Sequence, residues 1–134
     1  GGVISIEKEA YELLQLTGLI QKADTPAKTL TLVGRKQLEI ARALATRPKV
    51  LLLDESISGL NPTETETMMG LIRKIQSRGI TVFMIEHIMK AVMGLSDRVL
   101  VLNFGELIAQ GTPEQVSRNK HVIEAYLGAG GSGD

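Results

Sequence analysis

Three features of the 134-residue sequence predict an α/β fold. Two short apolar runs, Val50-Leu51-Leu52-Leu53 and Ile80 to Ile85, have the continuous composition of buried parallel strands rather than half-exposed ones. Between them lies an amphipathic stretch of helical period, long enough for a right-handed strand–helix–strand crossover. Both runs end in charged residues, Asp54-Glu55 and Glu86-His87, where a strand by itself needs none.

The elements follow in order. Ile6 to Thr17 reads as a helix with Ser5 as N-cap and Gly18 as its stop. A polar loop with Asp24, Thr25 and Pro26 leads to a second helix, from about Val33 to Thr46, rich in Ala, Leu and Arg and ending before Pro48. After the first strand, Asn61-Pro62-Thr63-Glu64 is a compact helix start. Asn caps, Pro takes the first helical position, and Glu returns a bond to the cap. Met68, Leu71, Ile72 and Ile75 then give one buried stripe, and Gly79 ends the helix. Ile88, Ala91, Val92 and Leu95 mark a further helix. Arg98–Leu102 and Leu107–Ala109 read as a C-terminal hairpin turning at Phe104-Gly105. Thr112-Pro113-Glu114-Gln115 has capping-box spacing, and a last helix is expected over Val122 to Leu127. The Gly-rich 128–134 tail has the composition of a flexible linker.

Composition narrows the functions. Lys and Arg number 15 and Asp and Glu 15, interspersed, so the clustered basic face of a nucleic-acid binder is not there. Without cysteine there is no disulfide, metal thiolate or thiol nucleophile. No apolar run approaches the ~18 residues of a membrane-spanning helix. Aromatics make up 3% of the chain, which leaves the core to Leu, Ile, Val, Met and Ala; the five methionines read as packing. Arg35 and Lys36 read as a solvated first turn, and His121 as an exposed residue.

In parallel α/β sheets the carboxyl ends of the strands face the ligand crevice, so Asp54, Glu55 and His87 are expected at one edge. A carboxylate pair beside an imidazole suits Mg²⁺-dependent phosphoryl transfer. One Asp holds the metal, the neighbouring Glu orients or deprotonates water, and the His contacts phosphate. Taken singly these features are ordinary: Asp-Glu commonly follows an apolar strand, and a histidine at a strand end is more often structural.

The wider pattern is specific. Leu38-Glu39-Ile40-Ala41-Arg42-Ala43-Leu44, Val50-Leu51-Leu52-Leu53-Asp54-Glu55, Gly59-Leu60-Asn61-Pro62 and Ile85-Glu86-His87 closely resemble ABC-transporter ATPases. In order, they match the helix after the signature motif, the Walker B strand, the D-loop and the H-loop. Leu60-Asn61-Pro62-Thr63-Glu64, Val92-Met93-Gly94-Leu95-Ser96-Asp97-Arg98 and Ile123-Glu124-Ala125-Tyr126-Leu127-Gly128 are similar to the ATPase subunits of branched-chain amino-acid importers.

The resemblance implies the C-terminal part of a P-loop NTPase fold. Residues 1–48 would be part of the helical, signature-bearing subdomain and 49–127 the rear half of the ATPase core. It also implies ATP and Mg²⁺ as cofactors. Asp54 would support the metal through water, Glu55 would be the general base or a water-orienting carboxylate, and His87 would sense the γ-phosphate. Ser58 and Asn61 would lie in the loop crossing to a second subunit. Thr31 and Gly34 would belong to the signature segment that serves the neighbour's nucleotide, as a helix N-terminus aimed at phosphate. Expected partners are a second ATPase subunit packed head to tail and membrane permease subunits, with no nucleic acid. The expected location is cytoplasmic, peripheral at the inner face of the cell membrane.

Three departures qualify this. No G-x-x-x-x-G-K-[ST] occurs, so the P-loop and its strand are absent from the sequence and a complete nucleotide site is not expected. The expected Leu-Ser-x-Gly-Gln signature is Leu30-Thr31-Leu32-Val33-Gly34, with Val33 where Gly is usual. Ser56 replaces the Pro usual after the Glu. A start at Gly1-Gly2-Val3 without Met, together with the missing front, reads as a fragment whose isolated form is inactive. With the P-loop strand gone, Arg98–Leu102 is not expected to pair with Thr81–Ile85. The alternatives are a non-catalytic half-domain that only binds a partner, and a soluble, non-transport ABC ATPase.

Overall fold

The computed structural model describes residues 2–128, so the expected tail lies, from residue 129, outside the described residues. The chain divides into two compact units, one ending at Glu86 and one beginning at His87.

The first unit opens with α1 (Val3–Thr17). This helix starts earlier than the sequence suggested: Gly2 is the N-cap residue and Ser5 lies inside, since nothing in Val3 or Ile4 stops the helix running back to the glycine. Its end is as expected. Gly18 takes φ 82, and the amides of Gly18 and Leu19 bond back to the carbonyls of Gln15 and Leu14 at 3.2 and 2.7 Å. Two single 3₁₀ turns (Ile20–Lys22 and Ala27–Thr29) occupy the polar loop. Then α2 (Leu32–Leu44) is capped by the Thr31 hydroxyl, which accepts from the Gly34 amide at 3.3 Å. An Arg47–Glu9 ion pair ties α1 to the turn after α2; both side chains are largely solvated, so it adds little stability.

Strands β1 (Val50–Asp54) and β2 (Thr81–Ile85) pair in parallel, with Val50 opposite Thr81 and Asp54 opposite Ile85. The crossover is α3 (Pro62–Ser77). Its capping box is complete: the Glu64 amide donates to the Asn61 side chain at 2.8 Å, and the Asn61 amide donates to the Glu64 carboxylate at 3.0 Å. The stripe expected from periodicity is the buried one, with Met68, Leu71, Ile72 and Ile75 all at 5% exposure or less.

The expectation of strands buried on both faces is not met. Burial alternates along β1, with Leu51 and Leu53 inside and Leu52 73% exposed. On β2, Phe83 and Ile85 are likewise exposed. The composition is that of a strand covered on two sides, but one face of this sheet carries an uncovered apolar row.

The second unit contains α4 (Met89–Leu95), then β3 (Val99–Asn103) and β4 (Glu106–Gly111). The last two form an antiparallel hairpin through Phe104-Gly105, both at positive φ (48 and 78), as a two-residue mirror-image turn requires. The register shifts after Val101, so Ile108 is an extra residue in β4. A second capping box, Thr112 with Gln115, starts α5 (Pro113–Ser117). The expected last helix is divided into α6 (Lys120–Val122), capped by Asn119, and one wider π-type turn over Ile123–Leu127. Val92, Val99, Val116 and Val122 form this unit's core, and the Tyr126 hydroxyl donates to the Leu102 carbonyl. The ladders are β1 with β2 and β3 with β4, and the described residues contain no other. Nor is any described helix long and apolar enough to cross a membrane.

Candidate functional site

The parallel pairing of β1 and β2 brings their carboxyl ends together. The ladder runs one residue past Asp54, because the Glu55 amide donates to the Ile85 carbonyl at 2.9 Å. The chain then turns sharply. Glu55 adopts φ 52, the left-handed region, which a non-glycine residue enters at a cost of roughly 1–2 kcal/mol. The Ser58 amide closes the turn onto the Glu55 carbonyl at 3.3 Å, and Gly59, at φ 81, redirects the chain toward the α3 cap. Asp54 and Glu55 are both exposed at this edge.

Two contacts join the turn to the first two turns of α2. The Lys36 ammonium donates to the Glu55 carbonyl at 3.3 Å. A Cβ built on Gly59 would lie 3.1 Å from Leu32 Cδ2, so the leucine packs directly over the glycine. From the end of β2, the Glu86 carboxylate accepts from the Ile57 amide at 3.4 Å. Ile57 itself is 1% exposed and anchors the turn from below.

Of the residues singled out in the sequence, Asp54, Glu55 and Ser58 stand on this strand end and turn. Asn61 stands two residues past Gly59, with its side chain engaged as the α3 cap. Thr31 and Gly34 stand at the start of α2, the Gly34 amide already held by the Thr31 hydroxyl. Gly34 is buried, and an added Cβ would press on Leu30 Cβ at 3.3 Å. His87 follows Glu86 directly and opens the second unit. Sequence reasoning missed Lys36, read as a solvated residue, and gave Glu86 no role. The available signal was a carboxylate ending an apolar strand.

Among the described residues, no three acidic or imidazole side chains cluster as a metal cage. That is compatible with Mg²⁺, which keeps several waters and is held by one or two carboxylates together with phosphate oxygens. A single exposed Asp54 fits such a site.

Comparison with known proteins adds the family. The sequence model described as ABC transporter matches residues 5–58, which run from within α1 to the Glu55 turn. The one described as branched-chain amino acid ATP-binding cassette transporter matches residues 106–132. The chain is 46% identical to the high-affinity branched-chain amino acid transport ATP-binding protein BraF of Pseudomonas aeruginosa, across 91% of its own length and 50% of that protein. The chain belongs to the ABC-transporter ATPase family.

This family member is also 46% identical to the LivG protein of Escherichia coli, which carries the same description, across 86% of the chain and 46% of LivG. Among solved structures, an ATP-binding cassette of an ABC transporter in its ADP conformation superposes with a TM-score of 0.83 at 30% identity, covering 92% of this chain and 50% of that one. The cbiO1 protein of Clostridium perfringens, part of the ABC transporter complex cbiONQ, superposes at 0.81 with 34% identity, covering 92% and 50%. The expected fold is therefore the observed one, and the chain spans about half the length of the relatives it matches.

Proposed function

We propose that this ABC ATPase chain is the rear half of the ATP-hydrolysing subunit of an importer for branched-chain amino acids. The observation that carries the reading is the Asp54-Glu55 pair at the carboxyl end of a parallel strand, in a chain 46% identical to BraF. BraF and LivG are both described as branched-chain amino acid transport proteins, which supports the solute class.

In this reading Asp54 would hold Mg²⁺. Glu55 accepts a proton from the attacking water, and His87 contacts the γ-phosphate. When bound, the metal neutralises charge on the phosphate oxygens. Ser58 and Asn61 lie in the loop that crosses to a second ATPase subunit, and Thr31 and Gly34 face that neighbour's nucleotide. Permease subunits hold the pair at the inner, cytoplasmic side of the membrane.

The sequence has no phosphate-cradling loop, so this chain alone should bind ATP poorly and release no phosphate. The test supplies the half of BraF that the chain does not match and measures ATP affinity by calorimetry with Mg²⁺, alongside phosphate release. The combined cassette should hydrolyse ATP. Glu55→Gln should keep binding and lose about 10²–10⁴-fold in turnover, the usual contribution of a general base. Near-normal hydrolysis in that variant removes Glu55 from its role. Micromolar ATP binding by the chain alone would refute the missing-cradle argument. A combined cassette that assembles but never turns over would favour a half-domain that only binds a partner.

A further inference from the structure

We infer that Lys36 and Glu86 are positioning residues which clamp the turn carrying Glu55, so that the start of α2 and the hydrolytic carboxylate move as one piece. This rests on the reading of Glu55 as that carboxylate.

Glu55 sits in a backbone conformation that persists only where the surroundings over-determine it. The local bonds, from the Glu55 amide to Ile85 and from the Ser58 amide to Glu55, define the turn but fix it only to its own sheet. The two longer-range bonds do more. Lys36 reaches the Glu55 carbonyl across 19 residues, and Glu86 receives the Ile57 amide across 29. The first has a charged donor and the second a charged acceptor, at 3.3 and 3.4 Å. Ile57 is almost fully buried, so few other partners are open to its amide if the carboxylate is removed. Leu32 over Gly59 supplies a third, apolar point of contact.

The clamp therefore has one arm on α2 and one on the end of β2. Any shift of the α2 start pulls the Glu55 carbonyl through Lys36 and presses the turn through Leu32. Glu86 holds the far side of the turn to the sheet. A carboxylate that must align a water is sensitive to such displacement, since misplacement by about 1 Å can cost on the order of 10²-fold in rate.

The test uses Lys36→Met and Glu86→Leu, each against a conservative partner that keeps the bond, Lys36→Arg and Glu86→Gln. In the full chain, amide exchange at Ile57 and Ser58 should rise about tenfold in the first pair, as expected for loss of one local bond, and stay near the parent value in the second. In the cassette completed with the unmatched half of BraF, Lys36→Met and Glu86→Leu should lower kcat with KM for ATP little changed, and Lys36→Arg and Glu86→Gln should recover it. Unchanged exchange at Ile57 and Ser58 in both disruptive variants overturns the clamp. So does a fall in kcat that tracks global melting temperature and is not rescued. If Glu55→Gln also hydrolyses normally, the catalytic reading fails, and the exchange data still judge the clamp by themselves.

Discussion

Glu55 and Gly59 both lie in the left-handed region of backbone space, for opposite reasons. Gly59 is a residue that enters it freely, and the close approach of Leu32 also requires it to lack a Cβ. Gly59→Ala should therefore destabilise the chain by about 1–2 kcal/mol, read as a lower denaturant midpoint at unchanged slope. Glu55 has no such freedom and is retained there by the contacts around it. That difference was not legible in the sequence. The string Asp54-Glu55-Ser56 reveals a carboxylate pair after a strand, whereas the turn is also bonded to residues distant in sequence, Lys36 to Glu55 across 19 positions and Glu86 to Ile57 across 29. Capping residues were legible because their partners are three residues off: Asn61 with Glu64 and Thr112 with Gln115 were readable at once.

At the scale of elements, the crossover unit was legible for the same reason. A helical stripe and two apolar runs depend on nearby residues, and β1, α3 and β2 all appear within a residue or two of expectation. Glycines within helices are less uniform than the sequence suggests. Gly70 lies in mid-α3, and a Cβ there would meet nothing within 4 Å. Gly70→Ala should raise stability by about 0.5–1 kcal/mol through lower unfolded-state entropy, opposite in sign to the change at Gly59. A loss of stability at Gly70 would contradict the open space around it. The end of the chain was less legible. Periodicity predicts one helix over Val122–Leu127, but Asn119 caps a start at Lys120 and the backbone widens into a π-type turn from Ile123. Hydrophobic period does not distinguish those hydrogen-bond patterns.

At the scale of the whole molecule, the sequence and the structure differ in what they leave uncovered. Apolar composition predicted strands enclosed on both sides, and the relatives it matches are about twice this length. Here Val50, Leu52, Phe83 and Ile85 are each more than half exposed, and in the second unit Leu100 and Leu102 are too. Surfaces of this kind drive association. The chain by itself should elute above its monomer mass and melt irreversibly, and Leu52→Thr should reduce the association. A monodisperse monomer with a sharp, reversible melt would show that the exposed rows do not act this way.

The row on β1 and β2 also has a meaning inside a cell. Exposed apolar strand surface is what chaperones retain and proteases clear, and copies held in that state are continuously triaged. A chain with this surface uncovered would be short-lived, and one whose surface is covered would be spared. Its abundance in a cell would then depend on how far Leu52 and Phe83 stay exposed.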